Sequence, residues 1–229
     1  AMAWIGDVVS YERRQPVLAR FLIGHMLGIA LATTISGWLG EFYGWRAIFV
    51  VLSGLYVVTA ALLWTELRTN PATRQAPKPA ESMARAFLRM FGLTRSPWVR
   101  VILAIVFLEG ALFYGPLAFA AYHAHRYLGL GIAASGMLMA AFAAGGLLYA
   151  AVAGRLVPRL GERGLVLAGG SFIGMGYLGL ALAPAAGFAV PCLMSLGAGL
   201  YMLHNTLQVH ATQMAPDSRG AAVALFAFF

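Results

Sequence analysis

The sequence predicts an all-α fold, a polytopic bundle of membrane-crossing helices. Three observations carry this. Of the 229 residues, 61% are hydrophobic and 10% are charged, against about 25% charged in soluble domains. The apolar residues fall in runs of the roughly 20 residues that a helix needs to cross a hydrocarbon core about 30 Å thick. The longest polar segment, Glu66–Arg100, has 35 positions, too few for a core of its own. No soluble domain fits in the chain.

Ala1–Val9 reads as an apolar stub and Ser10–Arg20 as a loop carrying Arg13, Arg14 and Arg20. Phe21–Gly40 is the first complete span. Gly24 and Gly28, continued by Ala32 and Ser36, make a small-xxx-small pattern that lets helices approach closely. His25 reads as a packing or interfacial histidine ahead of a proton carrier. Glu41–Arg46 is a short turn. Ala47–Thr65 is the second span, with Trp64 at an interfacial position. The polar segment follows, with Pro71, Pro77, Pro79 and seven basic residues. Within it, Ala80–Phe91 is amphipathic. Met83, Phe87, Met90 and Phe91 share one face, with Arg85 and Arg89 on the other. That pattern fits a helix lying on the membrane surface, or, second, a partner-binding helix.

Val101–Tyr122 is a span of 22 residues with one charge, Glu109. A mid-span charge costs roughly 2.5–3.5 kcal/mol on insertion scales, so it marks a functional site by default. The alternative is a structural acid bonded between helices. Gly115-Pro116 is a predicted kink. His123, His125 and Arg126 end the span. With no carboxylate or Cys beside the two histidines, they read as a wet loop, and no metal or other cofactor is expected. Tyr127–Gly154 is an uncharged span and Arg155–Arg163 a basic turn. From Gly164 to Pro216 no Asp, Glu, Lys or Arg occurs. That stretch holds two spans, Gly164–Ala183 and Phe188–Gln213. Asp217–Gly220 is the last loop, and Ala221 opens a truncated span.

The expectation is six complete spans and two truncated ones. Residues 1–65 form the end of one helical half, 66–100 a central loop, and 101–229 the start of a second half. Both chain ends read as cut from a longer protein. The single cysteine, Cys192, rules out an intrachain disulfide.

Fourteen of the 16 Lys and Arg residues lie in alternate loops, around Arg14, Lys78, Arg159 and Arg219. Only Arg46 and Arg126 lie in the loops between. The basic loops are therefore expected in the cytoplasm. The net charge of +8 is explained by topology, and no nucleic-acid partner is called for.

Several patterns resemble the major facilitator superfamily of secondary transporters, most of all its bacterial drug and sugar exporters. Gly44-Trp45-Arg46-Ala47-Ile48-Phe49 is similar to the turn between that family's fifth and sixth helices. Gly154-Arg155-Leu156-Val157-Pro158-Arg159-Leu160-Gly161-Glu162-Arg163 resembles its basic loop in the copy between helices eight and nine. Pro158 stands where that loop has Asp. Leu203–Gln208, with Ala215-Pro216 and Arg219-Gly220, is similar to helix ten and the loop after it. The resemblance places the chain from the end of helix four to the start of helix eleven. The family's glycine-proline antiporter motif is not clearly present, because Ile29 follows Gly28. The resemblance implies alternating access in a bacterial inner membrane, a small-molecule substrate and protons as partners, and a gating role for Gly154, Arg155, Arg159, Gly161 and Arg163. It leaves oligomeric state open.

Tyr201, His204, Asn205, Gln208 and Thr212 recur at helical spacing on one face. In an apolar span such a stripe faces protein or water. It either lines a cavity with Glu109 or fastens the bundle at about 0.6 kcal/mol per bond. Glu109 lies roughly 13–14 Å past Arg100 and His204 roughly 18 Å before Pro216 at 1.5 Å per residue. Both fall near mid-membrane, where transporters place their sites. Two classes remain: a secondary transporter, exporting or importing, or a non-transporting anchor or assembly protein. An enzyme is not expected, since HExxH, Gly-x-Ser-x-Gly and paired Asp residues are all missing.

Overall fold

The computed structural model describes residues 11–70, 82–215 and 219–229. The expected stub Ala1–Val9, the loop around Lys78 and the residues Pro216–Ser218 lie outside them. Among the described residues there are seven α-helices, one short 3-10 turn at Leu93–Arg95, and no strand.

Helix α1 runs Tyr11–Phe42. The backbone expected as a loop up to Arg20 is helical from Tyr11. Polar flanking residues do not end a helix unless they supply a cap or a break. Gly44, at φ 80, supplies the break, since positive φ suits a residue without Cβ. The turn is therefore only Tyr43-Gly44, tighter than the expected Glu41–Arg46. Helix α2 is Trp45–Thr69. The Arg46 guanidinium lies 4.3 Å from the Trp45 ring and that of Arg68 lies 4.5 Å from Trp64. The two tryptophans are 19 residues apart, roughly 28 Å at 1.5 Å per residue. That separation matches the hydrocarbon core, with an amphipathic anchor at each interface. No residue of α2 is buried.

Helix α3 is Met83–Gly92, where the amphipathic helix was expected. The Ser82 hydroxyl caps it by accepting from the Arg85 N–H at 3.4 Å. It does not merely lie flat. Met90 packs on Val99, Leu103 and Leu225, and the Phe91 ring meets Phe228 at 5.7 Å. Helix α4, Pro97–Arg126, opens on a proline at its first turn and continues through Pro116.

Helix α5 spans Ile132–Leu182, 51 residues, with one non-helical residue, Gly161, at φ 62 and ψ −179. The helix starts at Ile132 and not at Tyr127, because the chain between turns at Gly129, φ 70. The expected nine-residue basic turn, Arg155–Arg163, shrinks to the single break at Gly161. Gly154, Arg155, Arg159 and Arg163 are helical and exposed.

Helix α6 is Ala186–Gln213 and α7 is Arg219–Phe228. Contacts with α6 show that α5 folds back on itself. Gly145 and Gly146 of its first arm meet Met194 and Tyr201, while Gly169 and Gly176 of its second arm meet Gly199 and Leu196. Numbers rise together along the first arm and α6 and run opposite along the second. The arms are therefore antiparallel, and α6 lies along both. Among the described residues, five helices are long and apolar enough to cross a membrane. Because α5 crosses twice, six complete spans result, as expected.

The main core lies between the arms of α5 and α6, where Phe142, Tyr149, Leu165, Leu193, Leu196 and Tyr201 are buried. Small residues make it possible. A Cβ on Gly169 would stand 2.8 Å from the Gly199 carbonyl oxygen. The same holds for α1 against the first arm, through Gly37 and Gly136 and not through Gly24 and Gly28. An added Cβ at Gly24 or Gly28 meets nothing within 4 Å.

Candidate functional site

Helix α4 carries Glu109 and α6 carries His204, and the two helices run in opposite directions. Trp98 at the start of α4 meets His210 near the end of α6, their rings 5.7 Å apart. Glu109 lies twelve residues beyond Pro97, roughly 18 Å along its helix. His204 lies nine residues before Gln213, roughly 14 Å from the same end. The two side chains therefore share a level deep in the bundle.

They meet there. His204 Nδ1 and Glu109 Oε2 are 3.0 Å apart. The Glu109 side chain is 3% exposed and that of His204 is 34% exposed. The imidazole is thus the accessible member and the carboxylate the sheltered one. Glu109 Oε1 is buried and makes no hydrogen bond with the protein. A buried acceptor without a donor costs about 1–3 kcal/mol, and more when charged. Such a group is kept where it serves a purpose or where something else binds it.

The sheltering has identifiable sources. Ile102 and Val106, two turns and one turn before Glu109, are buried against Leu207, Ala211 and Phe226. The Phe226 ring of α7 lies 5.6 Å from the His204 ring. One turn beyond Glu109, the Phe113 side chain is 1% exposed and rests on Phe142 and Tyr177 of α5.

The polar stripe of α6 divides. His204 turns to α4. Tyr201 is buried against Gly146 of α5, and its ring lies 6.4 Å from Phe142. Asn205 bears on the Tyr149 hydroxyl. Gln208 is half-buried, and the Thr212 side chain lies outside the described residues. Three tyrosines absent from the sequence-level site complete the surroundings. Tyr114 is within electrostatic range of Glu109, Tyr149 partners Asn205, and Tyr177 holds α4 from α5. The available signal was a hydroxyl in an apolar run, since buried tyrosines need a partner.

The residues Gly154, Arg155, Arg159, Gly161 and Arg163 are not brought to this pair. They stand at the end of the bundle where α5 folds back. Their neighbour Glu162 meets His210 there, Oε2 to Nε2 at 3.4 Å, with the Glu162 side chain 65% exposed. His25 is exposed. His125 Nδ1 contacts the Leu130 carbonyl at 2.7 Å. His123 Nε2 is buried without a hydrogen-bond partner. Among the described residues no group of three or more His, Cys, Asp or Glu could hold a metal.

Comparison with known proteins agrees with this architecture. Residues 1–229 match the profile of the Major Facilitator Superfamily. The uncharacterised transporter YgaY of Escherichia coli, in strain K12 and in O157:H7, is 38% identical over 60 residues. That match covers 26% of this chain and 15% of the length of those relatives. No solved structure matches the chain. The helical bundle and a profile match from first residue to last agree with one another: the chain belongs to the major facilitator superfamily.

Proposed function

We propose that the chain is part of a proton-coupled secondary transporter that exports a drug-like or sugar-like molecule by alternating access. It sits in the bacterial inner membrane with its basic loops in the cytoplasm. The observation that carries the reading is Glu109, sheltered at mid-span, bonded through one oxygen to an accessible histidine and free at the other.

With one proton between them, Glu109 and His204 form either a carboxylic acid beside a neutral imidazole or a carboxylate beside an imidazolium. The net charge is zero in both. Removing that proton leaves a net negative charge deep in the bundle, which is costly there. The cost is lifted when a proton returns or when a cationic group of the substrate takes its place. Proton and substrate then occupy the pair in turn, which is what exchange requires. Of the α6 stripe, His204 stands at the pair while Tyr201 and Asn205 line the neighbouring face toward α5, and the basic residues around Gly161 act at the cytoplasmic gate.

The test is transport by the whole protein carrying this chain in proteoliposomes. Fluorescent organic cations and radiolabelled sugars serve as probes, with and without an imposed proton gradient. Movement that requires the gradient is expected. Movement that a protonophore leaves unchanged overturns the coupling, and gradient-driven movement in the opposite direction makes the protein an uptake permease.

A further inference from the structure

The N-terminus of α5 is capped from outside its own helix. Its first N–H groups have no partner within the helix, and the residue before it, Gly131, has no side chain to offer. Glu41, in the last turn of α1, supplies the acceptor. The Ala133 N–H donates to Glu41 Oε2 at 2.6 Å. A carboxylate is the favourable charge at that end of a helix. A Cβ on Gly131 would stand 3.1 Å from the same oxygen, so the carboxylate lies directly on the turn.

One turn deeper, the backbones touch. A Cβ on Gly37 would stand 2.9 Å from Gly136 Cα, and one on Gly136 would stand 2.6 Å from the Thr33 carbonyl oxygen. Thr33, Ser36, Tyr122, His125 and Ser135 line a cavity of about 380 Å³ between α1, α4 and α5, just beneath this contact. Helix α1 precedes the polar segment and α5 follows it, so the contact joins parts of the chain that the transporter reading assigns to different halves.

The geometry points to Glu41 as a latch. Its carboxylate holds α1 on the N-terminus of α5 while this end of the bundle is shut, and it leaves the Ala133 N–H when the halves part there. The inference rests on the alternating-access reading for its purpose, though the contact can be tested without transport.

The test uses the whole protein in membranes, with Cys192→Ala and a reporter Ser36→Cys in the cavity. A membrane-impermeant maleimide is added to the face carrying Phe42. Glu41→Ala is expected to speed labelling about fivefold, the factor that loss of a helix cap corresponds to. Glu41→Gln, which keeps an acceptor oxygen, is expected to fall between Glu41→Ala and the parent. Equal labelling rates in all three proteins overturn the latch. A second measurement covers poor folding of Glu41→Ala. Glu41→Cys with Gly131→Cys, bridged by a short reducible bifunctional thiol reagent, is expected to stop transport until reduced, and undiminished transport by the bridged protein refutes the proposal. Faster labelling of Glu41→Ala in a protein that moves no probe upholds the latch and rejects the transporter reading.

Discussion

The Tyr177 hydroxyl, on the second arm of α5, donates to the Phe113 carbonyl of α4, one turn beyond Glu109. Phe113 lies three residues before Pro116, whose ring nitrogen has no proton to give the helix. The bond therefore braces α4 where its own ladder is weakest. Tyr177→Phe is expected to cost about 0.6 kcal/mol, the mean for an interhelical bond in a membrane. A thermal melt in detergent checks this, and a loss above about 2 kcal/mol would mean that the helix around Pro116 depends on this bond.

Glu109→Gln keeps size and hydrogen bonding but removes titration. If Glu109 carries the coupling proton, gradient-driven transport is abolished and substrate binding stays within about threefold. Binding by fluorescence and transport in vesicles separate the two. If the acid instead holds a cationic substrate, binding falls for cations and survives for neutral compounds. Normal proton-coupled export by a well-expressed Glu109→Gln protein would end the role given to this residue.

A Cβ on Gly145 would run into the Met194 carbonyl of α6. Gly145→Leu is accordingly expected to break the α5–α6 contact and cost several kcal/mol, as overpacking against backbone does. Gly174, on the second arm, has nothing within 4 Å of an added Cβ. Gly174→Leu is expected to leave the fold intact. Size-exclusion profiles of the two variants give the comparison, and similar profiles would contradict the packing.

The charge asymmetry sets a side for each loop. Cysteines placed at Arg159 and at Arg126 are expected to react with impermeant reagents from the cytoplasm and from outside, respectively. Labelling of position 159 in intact cells reverses the orientation.

The helices were legible because length and apolarity are properties of the sequence itself. Glu109 and His204 were legible for the same reason. Each is a polar exception in an apolar run, and counting residues from the nearest loop put them at one depth. What the sequence could not show was contact. His204 and Asn205 belong to one spaced pattern, yet successive helical residues point about 100° apart. One therefore meets α4 and the other α5. The glycine pattern failed for a related reason. The chain has 27 glycines, so small residues at helical spacing are frequent, and nothing local distinguishes Gly37 from Gly28. The turn at Gly161 was overestimated because arginines look like loop, whereas the backbone leaves the helix only where a glycine lets φ become positive.

That one-residue turn has a mechanical consequence. A connector without slack cannot absorb displacement, so an axial push on the first arm of α5 is delivered to the second. Through the glycine contacts it reaches α6 as well, and these three rods travel as one block. Helix α4 is tied to that block by residues 127–131, a longer tether with a left-handed glycine in it, and by the Tyr177 bond to the Phe113 carbonyl. Any slip of α4 against the block would run along a plane between α4 and α6 and would have to release the Tyr177 bond as well. Glu109 stands on one side of that plane and His204 on the other, so any sliding along it would stretch the bond between them.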